Sequence, residues 1–331
     1  VTAYPDKFTT GTTTYYAKWE ADDAEIVFDA NGGKDAPAGT AGKTDADVTD
    51  AFPSATPNRD GYDFDGWYLT AAGTGTKQTD YPDTFPAGTT TYYAKWKAKE
   101  AKIVFNANGG TGAPDGITGK TDAEIKATFP TAEPTRTGYT FKGWYPNQGG
   151  TGTKVSGYPS KYPAGTTTYY AKWEADEAKI VFNANGGKNP PSGITGKTDD
   201  TISQDFPDTE PTREGYEFAG WTKNQNGTGG DVTAYPDKLP VGTTTYYAQW
   251  TAKSANIEFD ANGGDDDSVP TGITGTTDAT ITSRTLPTDE PTRDGYTFDG
   301  WYFDSDCTDD NKVTQYPAKF PAGTTTYYAN W

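Results

Sequence analysis

The segment TTTYYAKW at residues 89–96 recurs almost unchanged at 12–19, 166–173, 243–250 and 324–331, whereas GYxFxGW occurs only at 61–67, 138–144, 215–221 and 295–301. A third anchor, ANGG, at 30–33, 107–110, 184–187 and 261–264, sets a period of 77 residues held three times. A repeat this regular outranks chain length as a guide to domain count, so the 331 residues read as four units and not as two ordinary domains. The units span 20–96, 97–173, 174–250 and 251–331. Residues 1–19 match 232–250 and read as the closing strand segment of a truncated upstream repeat. With no methionine, the chain is expected to be a fragment or a processed product. The fourth unit carries small insertions on either side of GYTFDGW, which belong in loops.

Because the copies share one chain, position-by-position comparison separates the two faces of each strand. Ile103 and Phe105 stay apolar in every copy while Val104 becomes Glu258, so the first strand is half-buried with period two. In TTTYYAKW, Tyr92, Ala94 and Trp96 share the inward face, and Tyr93 and Lys95 the outward one, where Lys95 is exchanged for Gln249 and Asn330. In GYTFKGW, Tyr139 and Phe141 alternate inward, but Trp144 joins them only if Gly143 marks a bulge. Asn-Gly after the first strand accepts positive φ and turns the chain back. The next segment reads two ways. Thr121 to Glu124 forms a capping box that favours a short helix, whereas TDATITSRTLP in the last copy is β-branched; a strand or irregular segment is the expectation.

The expected core of the second unit is Ile103, Phe105, Ile117, Ile125, Phe129, Tyr139, Phe141, Trp144, Tyr158, Tyr169 and Trp173. Structural roles fall to the tryptophans of both signatures, Trp67, Trp144, Trp221 and Trp301 with Trp96, Trp173, Trp250 and Trp331. The fold class is mainly β, with α+β left open by the second element. The joints, as in WKAKEAKIVF, contain neither Gly nor Pro, so four compact units of roughly 30–40 Å should stack into an elongated rod.

The succession VFNANGG, PTRTGYTFKGWY and TTTYYAKW resembles the Listeria–Bacteroides repeat, related to the internalin B-repeat, across all four units. The acidic, Cys-containing connector FDSDCTDDNKVTQYP of the last unit is also similar to one seen in that family. The resemblance implies small β-grasp-like domains in secreted, surface-attached bacterial proteins, repeated as a stalk, and it implies no catalysis. Its 77-residue period is long for such a repeat.

Composition narrows the function further. With 46 acidic and 28 basic residues the net charge is −18, which argues against nucleic acid and anionic membrane as partners. No apolar run approaches the ~18–20 residues of a membrane span. Without histidine, and with Cys307 as the only cysteine, imidazole-based triads and metal sites cannot be assembled; no enzyme activity and no cofactor are expected. GITGKT at 116–121 and 193–198 lacks the leading glycine of a phosphate loop and reads as a turn. The runs Asp265–Asp267 and Asp304, Asp306, Asp309, Asp310 could in principle attract calcium, but neither fits an EF-hand and solvated loops are the plainer reading. No lysine recurs in all four units, which argues against a common Lys–Asn cross-link, and Cys307 with Gln315 alone does not make a thioester site.

Two polar positions do recur in every unit: Arg59, Arg136, Arg213, Arg293 and Asp45, Asp122, Asp199, Asp278. The arginine is expected to stack on a core aromatic or to pair at the sheet edge, fixing its turn. The outward tyrosines Tyr16, Tyr93, Tyr170, Tyr247 and Tyr328 either pack across strands or present a repeated sugar-stacking platform. The leading functional expectation is a monomeric, non-catalytic stalk, extracellular on a bacterial surface and anchored to the cell wall through a region outside this sequence, whose repeats contact one another. The alternative is a multivalent module binding host glycan or protein through those tyrosines.

Overall fold

The computed structural model describes residues 1–7 and 10–331. The chain is mainly β; among the described residues the helical elements are two 3-10 turns, Asp266–Ser268 and Asp309–Asn311. It divides into two compact units, one of Val1–Arg136 with Phe141–Trp173 and one of Thr137–Thr140 with Glu174–Trp331.

In the first unit, β1 (Asp23–Asp29), β2 (Thr40–Lys43), β3 (Tyr62–Tyr68) and β4 (Gly88–Ala98) form a curled sheet in the order β2-β1-β4-β3. β1 runs antiparallel to β2 but parallel to β4, in register from Ala24↔Gly88 to Asp29↔Tyr93, and β4 runs antiparallel to β3. The two central strands of the sheet are therefore the first and the last of the repeat. β5 (Glu100–Asn106), β6 (Ile117–Lys120), β7 (Tyr139–Tyr145) and β8 (Thr166–Ala175) repeat that order. In the second unit β9 (Glu177–Asn183), β10 (Ile194–Lys197), β11 (Tyr216–Thr222) and β12 (Thr243–Ala252) do so again. The fourth sheet comprises β13 (Ser254–Asp260), β14 (Ile273–Thr276), β15 (Gly300–Tyr302), β16 (Lys312–Val313) and β17 (Thr324–Asn330), ordered β14-β13-β17-β15-β16.

Alternation explains which face is dry. Ile26, Phe28, Tyr92 and Ala94 point into one core with Trp67 and Phe85, and Phe28 meets Trp67 edge to face at 4.7 Å between centroids. The core of the second repeat contains every expected side chain except Tyr139. Trp67 reaches this face because the register shifts between Phe64 and Gly66, the bulge that the broken alternation required, and Gly66 has φ of 138°. The same shift lies between Phe218 and Gly220.

After β1, Asn31 at φ 49° and Gly32 at φ 84° reverse the chain, and Asp29 Oδ1 accepts from Asn31 N at 2.7 Å. The Asn31 side chain then donates to Ala94 O on β4 at 2.8 Å, and Trp96 Nε1 donates to Ala30 O at 2.9 Å. These two bonds bolt the turn onto the far end of the last strand in all four repeats. The short helix allowed by the capping box does not form. Asp122, its first helical position, sits at φ 62°, which no right-handed helix accepts, and the chain instead bridges Glu124 to Lys161 as an irregular strand.

Candidate functional site: the junction between repeats

One residue separates the last strand of a repeat from the first strand of the next: Lys99 between β4 and β5, Asp176 between β8 and β9, Lys253 between β12 and β13. Both backbone groups of that residue are bonded, in opposite directions along the chain. Lys99 N donates to Gly61 O at 2.9 Å, in the GY turn of the preceding repeat, and Lys99 O accepts from Thr121 N at 3.0 Å in the following one. Asp176 and Lys253 repeat the pattern with Gly138 and Thr198, and with Gly215 and Thr277. The donor threonines Thr121, Thr198 and Thr277 are buried although polar. Gly61 is required there: at φ 79° a Cβ would lie 2.7 Å from Thr121 and 2.8 Å from Ala164.

The recurrent arginine and aspartate meet at this place, across repeats. Within the first unit, Arg59 stacks on Tyr62 with its guanidinium carbon 4.0 Å from the ring centroid. Tyr62 Oη donates to Asp122 Oδ2 of the next repeat at 2.5 Å, and Arg59 Nη2 approaches the same oxygen at 3.8 Å. Within the second unit, Arg213 lies 3.8 Å over Tyr216, Tyr216 Oη donates to Asp278 at 2.7 Å, and Arg213 reaches it at 3.9 Å. Tyr139, whose segment Thr137–Thr140 belongs to this second unit, donates to Asp199 at 2.5 Å. Tyr139 was expected in the core; it leaves the core to make this contact, because the strand overruns its own sheet's packed face. Arg136 lies beside Gly109 of its own repeat. The aspartates adopt φ between 62° and 66° at Asp122, Asp199 and Asp278, the turn that presents each carboxylate to the tyrosine. The bond to Asp122 first, and burial second, raise the pKa of Tyr62 above 10.0, and the bond to Asp278 does the same for Tyr216. Around Arg213 the junction opens onto a polar groove of about 540 Å³ that includes Lys188, Glu214, Tyr216 and Asp278.

The remaining singled-out residues sit elsewhere. Trp67, Trp144, Trp221 and Trp301 are buried in the four cores, and Trp96, Trp173, Trp250 and Trp331 pack at their edges with Nε1 bonded to the ANGG turn. Tyr93, Tyr170, Tyr247 and Tyr328 are half-buried on the outer face, while Tyr16 is 88% exposed. Residues 12–19 form no strand and Trp19 is exposed; residues 8 and 9 of the segment 1–19 lie outside the described residues.

The outer face is itself packed. Lys95 Nζ lies 4.7 Å over the Tyr68 ring and Lys172 Nζ 5.0 Å over Tyr145, and where Thr222 replaces the tyrosine, Gln249 replaces the lysine and bonds to it at 2.9 Å. Cys307, at φ 47°, occupies the turn position that Gly73 takes at φ 64° in the first repeat. A Cβ at Gly73 would meet Lys95 at 2.8 Å; in the fourth repeat Asn330 replaces that lysine and makes room for the thiol. Burial raises the pKa of Cys307, whose Sγ lies near Asn262 Nδ2 and Ala329 O. GITGKT was expected as a turn, but its ITGK is strand, Ile117–Lys120 in β6 and Ile194–Lys197 in β10, because it pairs antiparallel with the first strand of its repeat. Among the described residues no three His, Cys, Asp or Glu side chains converge to hold a metal ion. Asp265 caps the first 3-10 turn and Asp304 accepts from Thr308 and Asn311.

The family model of the Listeria-Bacteroides repeat domain matches residues 25–95, 102–172, 179–249 and 256–330. Among curated relatives, two proteins of Evansella cellulosilytica described as membrane proteins, the first as Gly-rich, are 28% and 27% identical over 96% of this chain; the chain covers 34% and 45% of their lengths. Internalin H of Listeria monocytogenes is 37% identical over 37% of this chain and 20% of its own length. The chain thus spans less than half the length of each of these relatives. A motif set matched four times over, on four sheets that share one order of four strands, leaves no ambiguity of kinship: the chain belongs to the Listeria-Bacteroides repeat family of bacterial surface proteins.

Proposed function

We propose that the chain is a non-catalytic spacer, an array of β-grasp-like repeats that forms an extended stalk and carries another domain of a surface protein away from the cell. The sheet order, with first and last strands parallel at the centre, supports the β-grasp reading. The observation that carries the stalk is the single linking residue bonded on both sides at Lys99 and at Lys253, the joints internal to the two units, which leaves little freedom for a hinge there. The net charge of −18 favours a monomer with neighbouring repeats of its own chain as the principal partners. Relatives described as membrane proteins and an internalin support a place on the bacterial exterior, with cell-wall attachment through a region outside this sequence.

Small-angle scattering tests the reading. A stalk gives the profile of an elongated, stiff particle; a compact globule or a freely jointed chain overturns it. Glycan-array screening tests the competing binding role of Tyr93, Tyr170, Tyr247 and Tyr328. Their half-burial argues against an open stacking platform, and saturable binding would revive it.

A further inference from the structure

The geometry points to a load-bearing function: each repeat is a shear clamp that resists tension applied along the chain. This deepens the stalk reading and takes its biological sense from it, but the mechanical property rests on strand topology alone. Tension reaches a repeat at the start of its first strand and leaves at the end of its last. These strands are hydrogen-bonded neighbours and run parallel, so their loaded ends lie at opposite ends of the shared ladder. Tension then slides one strand along the other and strains every rung together, whereas strands loaded at the same end would open one rung at a time.

Four further features suit the pair to this task. It occupies the centre of the sheet, flanked by β2 and β3 in the first repeat and by their equivalents in the others. The ladder is continuous over Ala24–Asp29, Lys102–Asn106, Lys179–Asn183 and Asn256–Asp260. Its core face is dry, with Ile26, Ile103, Ile180 and Ile257 fully buried, so water cannot readily replace a stretched bond. Trp–carbonyl and Asn–carbonyl bonds fasten the turn after the first strand onto the last strand, so sliding must break them as well. At the joints, a one-residue link passes the load directly into the next clamp. The Arg–Tyr–Asp contacts lie beside this path.

Single-molecule pulling on the full chain between its termini should show successive unfolding events, each releasing about 270 Å of extended chain at about 3.5 Å per residue, less the folded end-to-end distance of the repeat. The decisive comparison is on a Cys307→Gly background, glycine being the residue of the other repeats at this turn, with exposed cysteine handles in the third repeat. Handles at Glu177→Cys and Thr251→Cys load the clamp in shear; handles at Glu177→Cys and Thr243→Cys load the same two strands at one end. Severalfold lower force in the second geometry is the expected result, and equal forces overturn the proposal. Tyr216→Phe, off the load path, should leave the shear force unchanged; a matching loss of force would shift the resistance to the junction and likewise overturn it. A compact scattering profile with high shear force would sink the stalk and leave the clamp standing, and an extended profile with low force the reverse.

Discussion

The third and fourth repeats carry the same Arg-x-Gly-Tyr turn in two settings. In the third, β11 runs for seven residues, Tyr216 and Phe218 pair with Ala252 and Trp250, and Tyr216 is held between Arg213 and Asp278 of the next repeat. In the fourth, β15 is three residues long, and its ladder with β17 runs only from Gly300↔Asn330 to Tyr302↔Tyr328. Arg293 still stacks on Tyr296 at 4.0 Å, yet the tyrosine is 57% exposed. The stack is thus local to a repeat, whereas the strand extension and the carboxylate contact come from the neighbour. A repeat ends in sequence at its Trp and in structure beyond it, and each joint is completed by both sides.

Alkali should break the array most severely. Burial raises the pKa of core tyrosines such as Tyr92, Tyr169, Tyr246 and Tyr327, and the bond to Asp278 raises that of Tyr216. A phenol whose pKa is higher folded than unfolded contributes stability that is fully present below about 10 and lost as pH rises through the folded value. Circular dichroism against pH should therefore show cooperative unfolding above pH 10. In the Tyr216→Phe variant, the part of that loss belonging to the joint should be absent.

Next in size is a pair of glycine substitutions. Gly215 and Gly295 have φ of 76° and 79°, so alanine is strained at both, but only at Gly215 would the Cβ strike Thr277 at 2.6 Å and Ala322 at 2.7 Å. Gly215→Ala should cost about 1–3 kcal/mol more than Gly295→Ala in denaturant unfolding. Equal costs would mean that the joint yields freely.

Strand faces and cores were legible because every buried position could be read four times along one chain. The exchange of Val104 for Glu258 marks a wet face directly, and the alternation broken at the signature's Trp pointed to the bulge seen in the first and third repeats. Arg59 and Asp122 were visible as recurrent positions. Their pairing was not, because the residues that meet belong to different copies: Tyr62 and Asp122 stand 60 residues apart, a separation that no single-repeat alignment brings together. The same reason misplaced Tyr139, since period two states a face but not whose core lies against it. The expected irregular segment forms in place of the helix that the capping box also allowed, because a capping box specifies side chains and the left-handed backbone of Asp122 overrides them. Cys307 and Asn330 were each noticed as departures, but only the turn geometry shows that one fills the space vacated at the other.

The hydroxyl of Tyr216 sharpens the comparison between the repeats with a single atom. Its bond to Asp278 is charge-assisted but largely open to solvent, so Tyr216→Phe should cost about 1 kcal/mol, below the usual range for a charged acceptor. Tyr296→Phe should cost almost nothing. Asp278→Asn added to Tyr216→Phe should add little, since the two groups share one contact, and a full second loss would show that the aspartate serves its turn and not the joint.

The smallest effect belongs to the arginines, and it separates what is local from what is shared. Arg213→Ala and Arg293→Ala each remove a stacked guanidinium, at about 0.5–1 kcal/mol for an exposed cation–aromatic contact. Arg213 also stands 3.9 Å from Asp278, a pair about half open to water that adds only a few tenths of a kcal/mol. The two variants should therefore differ by less than either differs from the parent, because the stack, present in both settings, is the larger part. If Arg213→Ala instead costs far more than Arg293→Ala, the arginine acts chiefly by holding Tyr216 in place for the neighbour. Measuring Arg213→Ala again in the Tyr216→Phe background decides between these outcomes: an independent stack keeps its cost there, and a positioning role loses it.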